Sequence, residues 1–197
     1  AWIFQFQDLT DSSATKQEIL KMLSKVTFLK NKDTVADTIV KQCAKKGVNP
    51  FHIVARMVQE QGDNGGFSNG FQCTHAHKNT VYNLFNIKVS GSNGLVIGAN
   101  YACDMGWFNQ EKCIEDSIDF IKKEYIGVGQ STLYFQKYNV VNQIYSHQYM
   151  TNIYGANDEG NKMYQGYHAN GLLNREFKFV IPVYENMPST PSPRPGK

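Results

Sequence analysis

Asn49-Pro50-Phe51-His52-Ile53-Val54-Ala55-Arg56-Met57-Val58-Gln59-Glu60-Gln61-Gly62 is the stretch on which the reading of this chain turns. Asn49 suits a helix N-cap, and Pro50 suits the first helical turn, where a missing N–H costs nothing. Phe51, Val54 and Val58 share one face, and Ile53 and Met57 broaden it. A helix apolar round so much of its circumference belongs at the centre of a fold. It stops at Gln59-Glu60-Gln61-Gly62, and the Gly- and Asn-rich run 63–70 is a loop. Glu60 is thereby left at the C-terminal end of the most apolar helix. The negative end of the helix dipole and partial desolvation both disfavour its ionised form. A glutamic acid kept protonated near neutral pH is what general-acid cleavage of a glycoside requires. A solvated helix-end carboxylate is the alternative.

Towards the N-terminus, the first dozen residues (Phe4, Phe6, Leu9) read as an extended arm. Ser12 or Ser13 caps a helix with Glu18 early in it, and Ile19, Leu20, Leu23 and Val26 recur at helical spacing over about five turns. A second helix runs from about Asp33, with Val35, Ile39, Val40 and Cys43 on one side, to Lys45-Lys46-Gly47, where cations and a glycine suit a C-terminus. Towards the C-terminus, residues 71–105 show no sustained helical period and read as loops with a small irregular β element. A helix follows from about Gln110 to Tyr125, then short helices and turns over 127–152, and an extended segment over 172–184. Four prolines between Pro188 and Pro195 mark a linker rather than core, and hint at a neighbouring module.

The 197 residues suffice for one domain with or without a tail. With 41% hydrophobic and 19% charged residues, wholesale disorder is excluded. A net charge of +3 without a basic block gives no nucleic-acid signature, and no apolar run is long enough to span a membrane. Eleven Tyr, twelve Phe and two Trp suit an aromatic core, and they suit equally a groove that stacks on sugars. The chain carries neither a Gly-rich phosphate loop nor a GxSxG elbow. Its cysteines, at 43, 73, 103 and 113, form no CxxC pair, which removes zinc ribbons and thioredoxin-type motifs. Two disulfides in an oxidising compartment are expected, with Cys43–Cys73 and Cys103–Cys113 favoured among the three connectivities. Cys73, His75 and His77 alternate as a zinc edge or a Cys/His nucleophile pair would, but a disulfide cysteine beside two polar histidines is the simpler reading.

Taken as a set, these residues resemble a known family. The stretch 49–62 is similar to the catalytic helix of bacterial endo-β-N-acetylglucosaminidases of glycoside hydrolase family 73. Further pieces arrive in that family's order: Tyr82-Asn83-Leu84-Phe85-Asn86-Ile87, Gly98-Ala99-Asn100-Tyr101, Gly106-Trp107, Tyr125-Ile126, Gly129-Gln130-Ser131-Thr132-Leu133-Tyr134, His147-Gln148-Tyr149-Met150-Thr151-Asn152-Ile153 and Ile181-Pro182-Val183-Tyr184. The resemblance covers about residues 15–188 and the longer, autolysin-like branch. It implies a mainly α (α+β), lysozyme-like helical domain with a small irregular β-lobe over 1–187, followed by a Pro-rich tail over 188–197.

The resemblance further implies hydrolysis of the β-1,4 bond between N-acetylglucosamine and N-acetylmuramic acid in peptidoglycan. Glu60 matches the general acid and Tyr149 the active-site tyrosine. Tyr82, Asn83 and Phe85 match the groove strip, and Asn86, Gln61 and Gln148 join them as candidate substrate-binding residues. Shorter relatives carry a second glutamate on the β-lobe. Here only Asp104 offers a carboxylate between Asp63 and Glu111. Either Asp104, or a mobile acid such as Asp63, activates water in an inverting reaction, or the substrate's own N-acetyl oxygen attacks with Tyr149 steadying the intermediate. The second route is preferred. No cofactor or metal is expected. The expected partner is the peptidoglycan glycan strand, met by a secreted monomer, extracellular or at the cell wall, that forms part of a longer chain. The rival readings are a non-catalytic glycan-binding module, a muramidase, and a Cys/His hydrolase of peptide stems.

Overall fold

The computed structural model describes residues 1–62, 64–141 and 146–190. The helices among them are α1 (Lys16–Leu23), α2 (Lys32–Lys46), α3 (Pro50–Gln61), α4 (Gly94–Asp104), α5 (Gln110–Glu124), α6 (Leu133–Tyr138) and α7 (Gly155–Ala169). Strands β1 (Phe71–Gln72) and β2 (Thr80–Val81) pair antiparallel, with Phe71 opposite Val81. The protein thus has the mainly helical, lysozyme-like architecture with a two-stranded lobe. No described helix is long and apolar enough to cross a membrane.

The central helix is α3, buried from Pro50 through Met57 and packed against α1, α2 and α7. Asn49 fixes where it begins. Its Oδ1 accepts the His52 N–H at 3.1 Å, its Nδ2 donates to the Tyr167 hydroxyl at 2.9 Å, and its own N–H donates to the Leu9 carbonyl at 2.8 Å. Tyr167, on α7, lies stacked on Phe51 with ring centroids 4.1 Å apart. Burying each of these rings contributes about 2–3 kcal/mol, which locks the start of α3 to α7.

The N-terminal arm is a 3-10 turn at Trp2–Phe6 followed by a bridge from Gln7 to Phe179. It runs directly over α7. A β-carbon added at Gly160 would stand 2.7 Å from the Gln5 nitrogen and 3.0 Å from the Phe4 carbonyl carbon. Backbone cannot swing aside as a side chain can, so Gly160→Ala is expected to destabilise the fold by about 1–3 kcal/mol. Urea unfolding with an unchanged midpoint would contradict this close approach.

Several expected boundaries hold. α2 ends at Gly47 in the left-handed conformation (φ 62°), and α5 begins at Gln110 behind the Asn109 cap. Three expectations are corrected. α1 is eight residues rather than five turns, because Thr15 and Glu18 form its capping box and the chain turns after Leu23. Val26 is still buried, through a turn in which its N–H meets the Leu23 carbonyl. α4 occupies part of the segment expected to be non-helical. The four cysteines are free thiols, so neither Cys43–Cys73 nor Cys103–Cys113 is bonded. Cys43 and Cys113 are fully buried, and Cys113 Sγ accepts the Leu84 N–H at 3.4 Å.

Candidate active site

Glu60 sits half-buried at the last turn of α3, where the helix meets the strip 82–87. Gln61 braces that junction. Its Nε2 donates to the Asn86 Oδ1 at 3.1 Å and to the Leu84 carbonyl at 3.3 Å, and its Oε1 accepts the Phe67 N–H. Asn86, held in the left-handed region at φ 50°, a conformation asparagine tolerates, turns its Nδ2 onto Glu60 Oε2 at 2.9 Å. On the other side the Tyr149 hydroxyl donates to Glu60 Oε1. Both carboxyl oxygens are therefore aimed by neutral donors.

These groups face a cleft of about 340 Å³, lined by Arg56, Glu60, Tyr125, Tyr149, Lys88 and Phe120 and closed along the strip by Phe85 and Asn86. Glu60 is the only carboxylate among the described residues that line it. A second cleft of about 880 Å³ adjoins it, sharing Lys88 and Phe120 and continuing past Tyr101, Asp104, Trp107 and His147.

A buried polar cluster lies behind the cleft. The Arg56 guanidinium is 3.6 Å from the centre of the Tyr149 ring, a cation–π contact, and its Nε donates to both Glu159 oxygens at 2.9 and 3.1 Å. Its far nitrogen donates to Gln136 Oε1, while the Gln136 carbonyl accepts the Tyr149 N–H at 2.7 Å. His52 Nδ1 lies 2.8 Å from Glu159 Oε1. Residues 52 and 56 are one turn apart on α3, and 60 is the next turn, so one face of the helix carries His, Arg and Glu in succession.

Burial pushes the Tyr149 phenol well above its ordinary range. The nearby Arg56 charge opposes this, but Glu159 and Glu60 reinforce it, so the hydroxyl stays a donor. Burial would raise the Glu159 carboxyl, but Arg56 first and His52 next outweigh it and hold it below its usual range. Burial likewise holds the His52 imidazole below its ordinary 6.5, against the pull of Glu159.

Both shifts are downward, so the unfolded chain binds protons first as pH falls. The contribution of His52 is complete above about pH 6.5 and shrinks below it, and that of Glu159 shrinks further into the acid range. Urea midpoints are expected to fall between pH 7.5 and pH 5. A flat profile across that window would contradict the buried neutral imidazole.

The sequence-level candidates divide. Glu60, Tyr149, Phe85 and Asn86 come together at the cleft. Asn83 is fully buried, and its amide is spent on the strip's own turn. Its Nδ2 donates to the Ile87 and Gly98 carbonyls, and its Oδ1 accepts the Ile87 N–H. Tyr82 is in the core beneath Lys30, and Gln61 is a buried brace, so none of these three presents a side chain to the cleft. Gln148 is exposed and donates to the Tyr138 carbonyl. Asp104 is on the rim of the adjoining cleft, exposed and 3.5 Å from His75. Asp63 lies outside the described residues. Arg56 escaped the sequence reading, although an arginine inside an otherwise apolar helix signals a buried partner, and Glu159, which reads in the sequence as an ordinary helix or loop carboxylate, is that partner.

A half-buried glutamate at the end of a central helix, set in a cleft between a helical body and a small lobe, defines the lysozyme-like class of glycosidase folds. Within it, the chain resembles the autolysin-type endo-β-N-acetylglucosaminidases of glycoside hydrolase family 73. It is 33% identical over 153 residues to a bifunctional autolysin of Staphylococcus epidermidis, which covers 73% of this chain and 11% of that protein. It is 32% identical over 141 residues to a β-N-acetylglucosaminidase of Bacillus subtilis, covering 70% of this chain and 15% of that protein. The chain thus spans a small fraction of the length of these relatives. Its fold matches a catalytic mutant of S. aureus autolysin E, solved in complex with the disaccharide NAG-NAM, with a TM-score of 0.74 and 23% identity over 90% of this chain and 78% of that one. No family model matches the chain.

Proposed function

We propose that this domain hydrolyses the β-1,4 bond between N-acetylglucosamine and N-acetylmuramic acid in peptidoglycan, acting outside the cell or at the cell wall as part of a longer protein. The observation that carries this reading is the aimed carboxyl of Glu60 in its cleft. Protonated Glu60 gives its proton to the leaving glycosidic oxygen. Phe85 and Tyr125 offer ring surface to the sugars, and the adjoining cleft past Trp107 has room for further glycan. Likeness to glucosaminidases and to a protein solved with NAG-NAM supports the substrate class.

Glu60 being the sole described carboxylate of its cleft favours substrate assistance over a two-carboxylate mechanism. The N-acetyl oxygen attacks the anomeric carbon as the aglycone leaves, and Tyr149, still carrying its proton, donates a hydrogen bond that steadies the cyclic intermediate. Water then opens it, with Glu60 taking the proton. This route retains configuration, so NMR of early products is expected to show the β-anomer. An initial α-anomer would shift the role of base to a second acid such as Asp104.

A glycan-binding module is the rival reading. Incubation with purified sacculi separates the two, because an enzyme releases soluble fragments with new reducing ends, whereas a binder sediments with the wall and releases none.

A further inference from the structure

Cys73 directly follows β1, and Cys103 lies in the last turn of α4. The neighbours of each are matched across the gap. Thr74 donates from its N–H and its hydroxyl to Asn100 Oδ1 at 2.8 and 3.0 Å, and Asn100 Nδ2 donates back to Thr74 Oγ1 at 2.8 Å. His75 Nδ1 lies 3.5 Å from Asp104 Oδ1. Asn100, Cys103 and Asp104 share one face of α4 at helical spacing. These two contacts flank Cys103 and hold the residues that follow Cys73 against the same face of α4, which brings the two thiols within range of one another.

We propose that Cys73 and Cys103 are an oxidative modification site, which an external disulfide closes into a single intramolecular bond between the lobe and α4. The chemistry is thiol–disulfide exchange. Cys103, after giving its proton to solvent, attacks one sulfur of the oxidant. Half of the oxidant leaves as a thiolate and takes up a proton. The Cys73 thiolate then attacks the Cys103 sulfur of the mixed disulfide and displaces the second half. Two protein thiols are oxidised, and one disulfide is reduced to two thiols.

Accessibility sets this order. Cys103 is half-buried, whereas Cys73 is 2% exposed. Cys43 and Cys113 are sealed in the core, where burial pushes the Cys113 thiol up to about 12, so they stay reduced. The Cys103 thiol is itself pushed up to about 11, first by its interaction with the Cys73 thiol and then by burial. Exchange should therefore quicken by up to about tenfold per pH unit through the mildly alkaline range. The bond would fasten the lobe to a helix whose Tyr101 and Asp104 wall the adjoining cleft.

The test is oxidation of the folded chain by oxidised glutathione at pH 8.5, followed by alkylation in denaturant and non-reducing peptide mapping. The expected result is one linked peptide pair holding residues 73 and 103, a mass lower by two hydrogen atoms, and alkylated Cys43 and Cys113. Cys103→Ser, a change at a half-exposed position, is expected to keep Cys73 reduced. Alkylation of both 73 and 103 after exhaustive oxidation would overturn the proposal. So would pairing of either with 43 or 113, or arrest at the glutathione adduct. The result does not depend on glycosidase activity.

Discussion

Glu60→Gln is expected to lower the release of reducing ends from purified sacculi by about 100- to 10,000-fold, the range a positioned general acid supplies. The amide has the shape of the acid but no proton to give. Tyr149 still has a carbonyl oxygen to donate to, and the Gln61 brace is untouched, so the fold should survive. The one local cost is that the new amide nitrogen meets Asn86 Nδ2, which now donates to Glu60 Oε2. A melting temperature within a few degrees of wild type separates loss of chemistry from loss of structure. Full activity in this variant would remove Glu60 from its role.

Arg56→Met is the second large effect, and it falls on stability. The substitution fills similar volume but deletes the cation over Tyr149 and leaves Glu159 buried with His52 alone. Breaking a buried pair from one side costs about 3–5 kcal/mol. In a chain of this size that lowers the melting temperature by about 6–20 °C. Removing both charges, with Arg56→Met and Glu159→Leu together, is expected to recover part of the loss, because no uncompensated ion is then left in the core. A single variant that melts with wild type would show that the cluster contributes little.

Helix α3 was legible in the sequence because its cap, its proline and its apolar face are local signals. The place of Glu60 at the end of that helix was legible too, but position alone suits a solvated carboxylate as well as an acid, and it was the family resemblance that favoured the acid. α4 was not legible. Its buried positions are Gly94, Gly98, Ala99 and Ala102, small residues chosen for close approach rather than for an apolar stripe. A β-carbon at Gly98 would strike the Val89 side chain at 2.4 Å. Part of the strip 82–87, at Phe85, Asn86 and Ile87, does line the cleft that holds Glu60, but the sequence did not separate these residues from their neighbours. Aromatic and amide types fit a groove and a tight buried turn equally well, and only the contacts of Asn83 and Asn86 tell which amide does which. The Arg56–Glu159 pair joins positions far apart in the chain, and no local pattern reports that. The cysteines misled because their even number suggested pairing by count, whereas Cys43 and Cys113 behave as core residues.

The role of Tyr149 depends on that hidden cluster. Gln136 holds its backbone and Arg56 its ring, so the phenol that meets Glu60 is positioned by α3, α6 and α7 at once. The geometry around Glu60 and the stability of the helical body therefore share residues. Substitutions behind the cleft should lower both together, whereas Glu60→Gln lowers one alone.

The central claim is the bond that is cut, and the reducing end of the product reports it directly. Sacculi digested with the protein, reduced with borohydride and analysed by mass spectrometry should yield fragments ending in reduced N-acetylglucosamine. Fragments ending in reduced N-acetylmuramic acid would make the protein a muramidase and contradict the account.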